Sequence, residues 1–412
     1  MAVRILVVGA GIAGLSAALR LRQLGGSPTL VEAAPGPRGR GYMIDFFGPG
    51  VDAADRLGLR PALERIHAPV ERLVFVDGSG RSRVTVSYPA LRRRVFGGQH
   101  YNFLRGDLEA QLHAAARDAG VELSHGREVS GVQQAEAAGD PVVVRYADGA
   151  EEEWDVVLGA DGIHSRVRTD LLEPDEWTTR DLGHAVWAFI LDGGVPGVRR
   201  EDFLTLAAPG RMVAAYPVDE GRTAVFFVHR SPDGGGEPGA DLPGTLHRRF
   251  GDLGWLVPEL LARAPAAVDR YTDRTVQVRS RVWHRGRVAL LGDACWCVSP
   301  LAGQGASLAL AGGVAVAEAL ATASAVADVP VVLDQVRDRL GPVVARRADA
   351  GARTASWFAP EERWRMAVRD VSLRASAWGS SARCSAGGSA WSVRPRSPAP
   401  RAPGRGRGDW TA

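Results

Sequence analysis

The sequence predicts an α/β fold: a Rossmann-like βαβ domain, a largely antiparallel β-sheet domain inserted into it, and a C-terminal helix. Three observations predict it. A strand, glycine turn, helix, strand and acid follow one another between Val3 and Glu32. Two more apparent strands, far along the chain, end in glycine–acid turns at Gly159–Gly162 and Gly292–Asp293. Between those two, from about 175 to 285, β-rich stretches alternate with Pro/Gly loops.

The first element is Val3–Val8, an apolar β-branched run of buried-strand character. It enters Gly9-Ala10-Gly11-Ile12-Ala13-Gly14 directly. Leu15, Ala18 and Leu19 continue at helical spacing, Gly25-Gly26 stops them, and Thr29–Val31 forms a second strand ending at Glu32. Gly9 permits the tight turn, Gly11 admits a pyrophosphate to backbone N–H groups at the helix start, and Gly14 lets helix lie on strand. Glu32 is placed to accept hydrogen bonds from a ribose diol. The pattern is that of a dinucleotide site and leaves open which nucleotide.

A Gly/Pro/Arg loop, 33–41, precedes a strand, Tyr42–Phe47, and a short helix, Val51–Leu57. Leu73–Val76 and Val84–Val86 flank a glycine turn as a hairpin, and Arg92–Arg94 is a solvated basic run. Arg105-Gly106-Asp107-Leu108 opens a helix that closes at Gly120. A β-meander, 129–158, then delivers Gly159-Ala160-Asp161-Gly162. Ala185–Leu191, Phe203–Ala207, Met212–Tyr216, Thr223–His229 and Thr275–Val278 are the strands of the inserted sheet, with a flexible stretch at 231–244 and a short helix at Pro258–Arg263. Val288–Leu291 returns to buried-strand character. Ala-rich Gly305–Ala327 and charged Val331–Thr354 are helices.

Composition narrows the function. All 50 basic residues are arginine, and the net charge is +3. Residues 379–412 hold six arginines and one aspartate, so that tail carries +5 and the rest of the chain −2. The body therefore has no positive excess suited to nucleic acid. Three cysteines, Cys295, Cys297 and Cys384, cannot build a disulfide framework, which points to a reducing cytoplasm. Cys295-Trp296-Cys297 lacks a second ligand pair, so no metal site is expected. The Gly305–Ala327 segment is too rich in Ala and Gly, and too poor in flanking basic anchors, to be a membrane span. No signal peptide precedes Val3.

In open α/β sheets ligands gather beyond the carboxyl ends of strands, so one large ligand can touch all three glycine turns. Here the sequence resembles the class A flavoprotein monooxygenases, the family of para-hydroxybenzoate hydroxylase and the tetracycline-inactivating monooxygenases. The resemblance runs from about Val3 to Thr354. Gly9, Gly11, Gly14 and Glu32 match the motif that holds the ADP half of FAD. Arg105 stands where the family places a flavin-contacting arginine. Asp161-Gly162 through Arg168 resembles the motif associated with both FAD and NADPH. Arg287–Asp293, continued by Pro300 and Gly303-Gln304-Gly305, resembles the third. There are departures: Trp296 replaces the usual histidine, and Ala33 an arginine common in relatives.

The resemblance implies a glutathione-reductase-type FAD domain formed by 1–72, 101–174 and 280–345, a substrate-binding sheet domain formed by 73–100 and 175–279, and a C-terminal helical segment, 346–378. It implies tight non-covalent FAD, NADPH or NADH as a transient reductant, and transfer of one oxygen from O₂, through a flavin C4a-hydroperoxide, to a hydrophobic aromatic or polycyclic small molecule. Asp45, Tyr216 and His229 are the candidates to reach that substrate; Tyr216 and His229 read first as ordinary sheet residues, and Asp45, after the flavin-proximal loop of relatives, is the better candidate to touch substrate or flavin. Two other readings compete: a prenyl reductase-like flavoenzyme, and a non-catalytic protein that sequesters a hydrophobic compound. A flavin-dependent halogenase would need a lysine, and there is none. A monomer or homodimer is expected. The tail from Gly379 to Ala412, with no periodicity, reads as disordered and as an out-of-frame or degraded C-terminus.

Overall fold

The computed structural model describes residues 3–378 apart from 38, 40, 69, 91–98, 135–139, 220, 232–240 and 299–302. The Arg92–Arg94 run, Pro300, most of the 231–244 stretch and the 379–412 tail lie outside these.

The central sheet has six strands. Pro28–Glu32, Ile5–Val8, Val156–Gly159 and Val288–Leu290 run side by side and parallel; Glu122–His125 extends one edge, and His284–Arg285 closes the other antiparallel. The inner strands Ile5–Val8, Val156–Gly159 and Val288–Leu290 are buried throughout and are Val, Leu and Ile but for Gly159 and Ala289, as parallel strands under helices must be. The helix Ile12–Gln23 covers one face and meets the helix Gly305–Leu320 at very close range. That approach depends on Gly313, where a Cβ would stand 2.3 Å from Ser16 Oγ and 2.5 Å from Ala13 O. The 129–158 meander is a three-stranded antiparallel sheet, Val129–Gln134, Val142–Tyr146 and Glu151–Trp154, leading straight into the third central strand.

The second large sheet has seven strands in the order Val268–Ser280, Trp177–Asp192, Arg222–Arg230, Arg211–Pro217, Asp202–Ala208, Arg72–Val76 and Ser82–Ser87. All neighbours are antiparallel except Arg72–Val76 with Asp202–Ala208. Strand alternation splits its residues between two cores. Phe189, Val213, Val225 and Phe227 pack under the helices Leu242–Phe250 and Val257–Arg263. Ile190, Tyr216, Ala224 and Phe226 face the other way, toward Met43 and Leu104. A two-stranded ribbon, Met43–Phe47 with His100–Leu104, lies on that inner side.

Two helical expectations are modified. The Ala-rich helix ends at Leu320, followed by a short turn and a 3₁₀ segment at Val326–Asp328. The next helix runs Val329–Phe358, and a separate one, Arg363–Trp378, follows a break containing Pro360. Proline cannot donate to a helical ladder and restricts the residue before it, which accounts for the break. Among the described residues no helix is long and apolar enough to cross a membrane.

Candidate active site

The three glycine turns leave the same ends of three adjacent parallel strands. Backbone bonds stitch them together: Gly9 N donates to Val31 O, Ala160 N to Val8 O, and Leu291 N to Gly159 O, at 2.7–2.8 Å. Gly9 has φ +102°, and a Cβ there would stand 2.4 Å from Ala160 O. At Gly14 a Cβ would be 1.9 Å from Gly9 O. Gly11 is different. A Cβ on it meets nothing within 4 Å, so the backbone at the helix start faces open space. Glu32 accepts from Ala10 N at 2.8 Å and from Ala34 N at 2.9 Å, locking the turn to the second strand.

The second turn is held from within. Asp161 accepts from Ser165 Oγ (2.5 Å) and Val167 N (3.0 Å), while Gly162 takes φ +81°. Burial raises the Asp161 pKa, and those bonds only partly oppose the rise. Arg168, which sequence reading quoted only as part of the motif, ties the turns together. Its buried guanidinium donates to Ile163 O (2.7 Å) and Ala294 O (2.9 Å), and lies 4.3 Å over the Trp177 ring.

In the third turn Asp293 opens the short helix Asp293–Trp296 and is exposed, while its neighbours Ala294, Cys295 and Trp296 are buried. Desolvation by the protein around it raises its pKa, against the pull of Arg105 and a bond from the Cys297 thiol. Arg105 reaches the same place from the helix Arg105–Asp118; its N–H donates to Tyr42 O (2.9 Å) and its guanidinium to Glu109 (2.8 Å). Gly303 has φ +63°, and Gln304 caps the Gly305–Leu320 helix, with open space at Gly305. Trp296 packs on Trp283 with ring centroids 4.4 Å apart and lies against Gly312, where a Cβ would be 2.6 Å from its Cζ2. The missing side chain at Gly312 makes room for this departure from the family pattern. Cys295 and Cys297 are buried and form no disulfide, the Cys297 thiol donating to Val276 O at 3.4 Å, and the described residues contain no group of three or more potential metal ligands.

Between this cradle and the seven-stranded sheet lies an aromatic wall. Tyr42 sits 5.0 Å from Tyr271 and 5.7 Å from Phe226, ring to ring. Desolvation pushes the Tyr42 pKa up to about 12, with Arg105 opposing. Asp45 lies on the ribbon beside Gly303, its Oδ2 3.6 Å from where a Gly303 Cβ would stand. Its other oxygen accepts from Tyr88 and from Asn102 (2.7 Å) and lies 3.0 Å from His100 Nε2. Burial works to raise the Asp45 pKa, but His100 and the other donors outweigh it and hold the carboxyl below its usual range. Sequence reading missed His100, Tyr88 and Asn102, because no local spacing links them to Asp45.

Tyr216 is on the inner face of the sheet, fully buried, its hydroxyl accepting from Met43 N at 2.8 Å. Burial pushes its pKa far up, so it is a neutral phenol. His229 is not brought to this chamber. It shares the outer face with Phe227 and lies 6.2 Å from the Phe250 ring. Odd and even positions of one strand face opposite ways, and Phe226, not His229, points to Tyr42.

The cradle could hold FAD: the backbone is open at Gly11 and at Gly305, an acid, Glu32, ends the second strand, and the Asp293 carboxylate is exposed within the electrostatic reach of Arg105. Residues 2–349 match the family described as an FAD binding domain. A flavin-dependent monooxygenase of Legionella longbeachae serogroup 1 (strain NSW150) is 31% identical over 325 residues, covering 78% of this chain and 81% of the relative. Among solved structures, tetracycline destructase Tet(51) superposes with a TM-score of 0.77 at 27% identity, covering 90% of this chain and 96% of its own. Klebsiella pneumoniae HpxO, solved with FAD and uric acid, gives 0.76 at 25% identity over 90% and 93%. With the three motifs on one sheet edge, the aromatic chamber facing them and these likenesses, the chain belongs to the class A FAD-dependent flavoprotein monooxygenases.

Proposed function

We propose that the enzyme inserts one oxygen atom from O₂ into a flat, hydrophobic aromatic or polycyclic small molecule, with NADPH or NADH as a transient reductant. The observation that carries this reading is the chamber itself. Tyr42, Phe226 and Tyr271 present ring faces and edges opposite the cradle, which suits stacking against a flat ring. Uric acid and tetracycline, named for the two structural neighbours, share with that class only a fused-ring framework.

FAD, when bound, supplies hydride acceptance and oxygen activation. The chain's own groups do the rest. Arg105 and the Gly305–Leu320 helix N-terminus place positive potential beside the cofactor cradle, which favours a reduced, anionic cofactor. Asp45, with one oxygen held by Tyr88 and Asn102 and close to His100, offers the other as an oriented acceptor at Gly303. The apolar walls exclude water from the reacting centre. A groove of about 530 Å³ lined by His164, Arg168, Trp177 and Arg274 opens beside the second turn and is the place for a visiting nicotinamide nucleotide, since no second glycine fingerprint exists.

The test is a screen of aromatic and polycyclic compounds for stimulated NADPH oxidation by the FAD-loaded protein, with ¹⁸O₂ labelling of the product. One labelled oxygen per turnover is expected. Reduction of a double bond without label would make the enzyme a reductase, and binding with no stimulated oxidation would make it a sequestering protein.

A further inference from the structure

A second cavity lies at the end of the strand pair Arg211–Pro217 and Arg222–Arg230 in the seven-stranded sheet. It has a volume of about 370 Å³, and its charged lining is Arg211, His229, Arg230, Arg248, Arg249 and Glu361. Three separate elements converge on it. Arg211 and His229 stand opposite each other on paired antiparallel strands, with Arg230 next in line. Arg248 and Arg249 come from the last turn of the helix Leu242–Phe250, and Glu361 from the break between the two C-terminal helices.

Carboxylates only partly balance this cluster. Arg211 pairs with Asp252 at 2.5 Å, Arg230 with Glu361 at 3.0 Å, and Arg248 loosely with Asp241 at 3.4 Å. Arg249 has no carboxylate partner among the described residues. His229 registers the imbalance: burial, then Arg249, Arg211 and His184, bring its pKa down to about 4, so it stays neutral at the bottom of a positive cavity. Guanidinium forks match the spacing of oxygens on phosphate-type anions and bind them through paired charge-assisted hydrogen bonds. The depression is open to solvent and has room for a small anion.

We propose that this cavity is a binding site for a small phosphate-type oxyanion, separate from the FAD and substrate chamber. The anion sits among Arg211, Arg230, Arg248 and Arg249, drawing Arg230 from Glu361. It comes either as free phosphate or as a phosphate monoester.

Calorimetric titration of the FAD-loaded protein with inorganic phosphate and, in a second arm, with glycerol 3-phosphate tests this. One saturable site in the low millimolar range or tighter is expected. Equal affinities identify free phosphate as the ligand, and tighter binding of the ester identifies a monoester. The exposed pair Arg248→Ala/Arg249→Ala should weaken binding by roughly tenfold or more, with flavin content unchanged. Arg117→Ala, on a remote exposed helix end, should leave it alone. The His229 ring resonances should titrate at a higher pH when phosphate is bound, because the anion offsets Arg211, Arg230, Arg248 and Arg249, while Asp252, Glu361 and His184 stay in place. No saturation with either probe, equal weakening by Arg117→Ala, or an unmoved His229 titration would overturn the proposal.

Discussion

Replacing Gly11 with alanine separates cofactor binding from folding. The new Cβ meets no atom within 4 Å, and Gly11 has φ −78°, a conformation open to any residue. Alanine restricts the unfolded chain, which stabilises by about 0.4–1 kcal/mol. It is also a poorer helix N-cap than glycine, a cost of similar size. The two nearly cancel, so the apoprotein should melt within a degree or two of wild type. The methyl group instead fills the space where the pyrophosphate meets the backbone. Loss of one charge-assisted hydrogen bond there costs about 1.5–3 kcal/mol, or roughly 10- to 150-fold in FAD affinity. Fluorescence titration of apoprotein with FAD, beside a thermal melt without it, measures both numbers. Gly14→Ala is the contrast: its Cβ would stand 1.9 Å from Gly9 O, so the helix must lift and the melt itself should fail. If Gly11→Ala keeps FAD affinity within threefold of wild type, a ratio worth less than about 1 kcal/mol, the open turn is not the pyrophosphate cradle.

Gly312→Ala should lose about 1–3 kcal/mol from overpacking against Trp296, and adding Trp296→Phe should recover most of it in urea unfolding. Tyr216→Phe strips the acceptor from the Met43 N–H and should cost about 1–3 kcal/mol, while leaving the pH profile of turnover in place. A changed profile at unchanged stability would assign that hydroxyl to the chemistry. His229 takes up a proton near pH 4 when folded but near its ordinary 6.5 when unfolded. The unfolded chain binds more protons between those values, so stability rises with pH across that window and is full above it. His229→Gln should therefore flatten the melting temperature between pH 4 and 6.5, and an unchanged slope would remove His229 from the account of acid lability. Truncation after Trp378 should leave flavin content and turnover intact, measured by absorbance and NADPH oxidation; loss of either would give the tail a role.

The cofactor half of the site was legible in the sequence because its requirements are local. A positive φ, a close backbone approach or an acid at a strand end each demands one residue type at one offset, as at Gly9, Gly14 and Glu32. The three turns could be placed together because parallel strands beside one another release their ligands at one edge. The substrate half was not legible in the same way. Tyr216 and His229 lie on neighbouring strands of similar composition, and only the register of pairing decides which faces inward. That register puts Tyr216 inside and His229 outside. His100 meets Asp45 across a ribbon whose strands are 52 residues apart, from Phe47 to His100, joined by no recognisable turn. The arginine cavity draws on three elements with no motif among them.

The Arg168 contact with Ala294 O bears on how the protein is made. The cofactor cradle joins a segment of the first half of the chain to one that leaves the ribosome 126 residues later. Until Val288–Leu290 arrives, the strand Val156–Gly159 has an unpaired edge and Arg168 lacks one of its carbonyl partners. Nascent chains of this protein therefore carry an open sheet edge from the completion of Val156–Gly159 until Val288–Leu290 follows, the kind of surface that chaperones must shield. FAD capture becomes a late event, and flavin supply should govern how many finished chains close rather than how many begin.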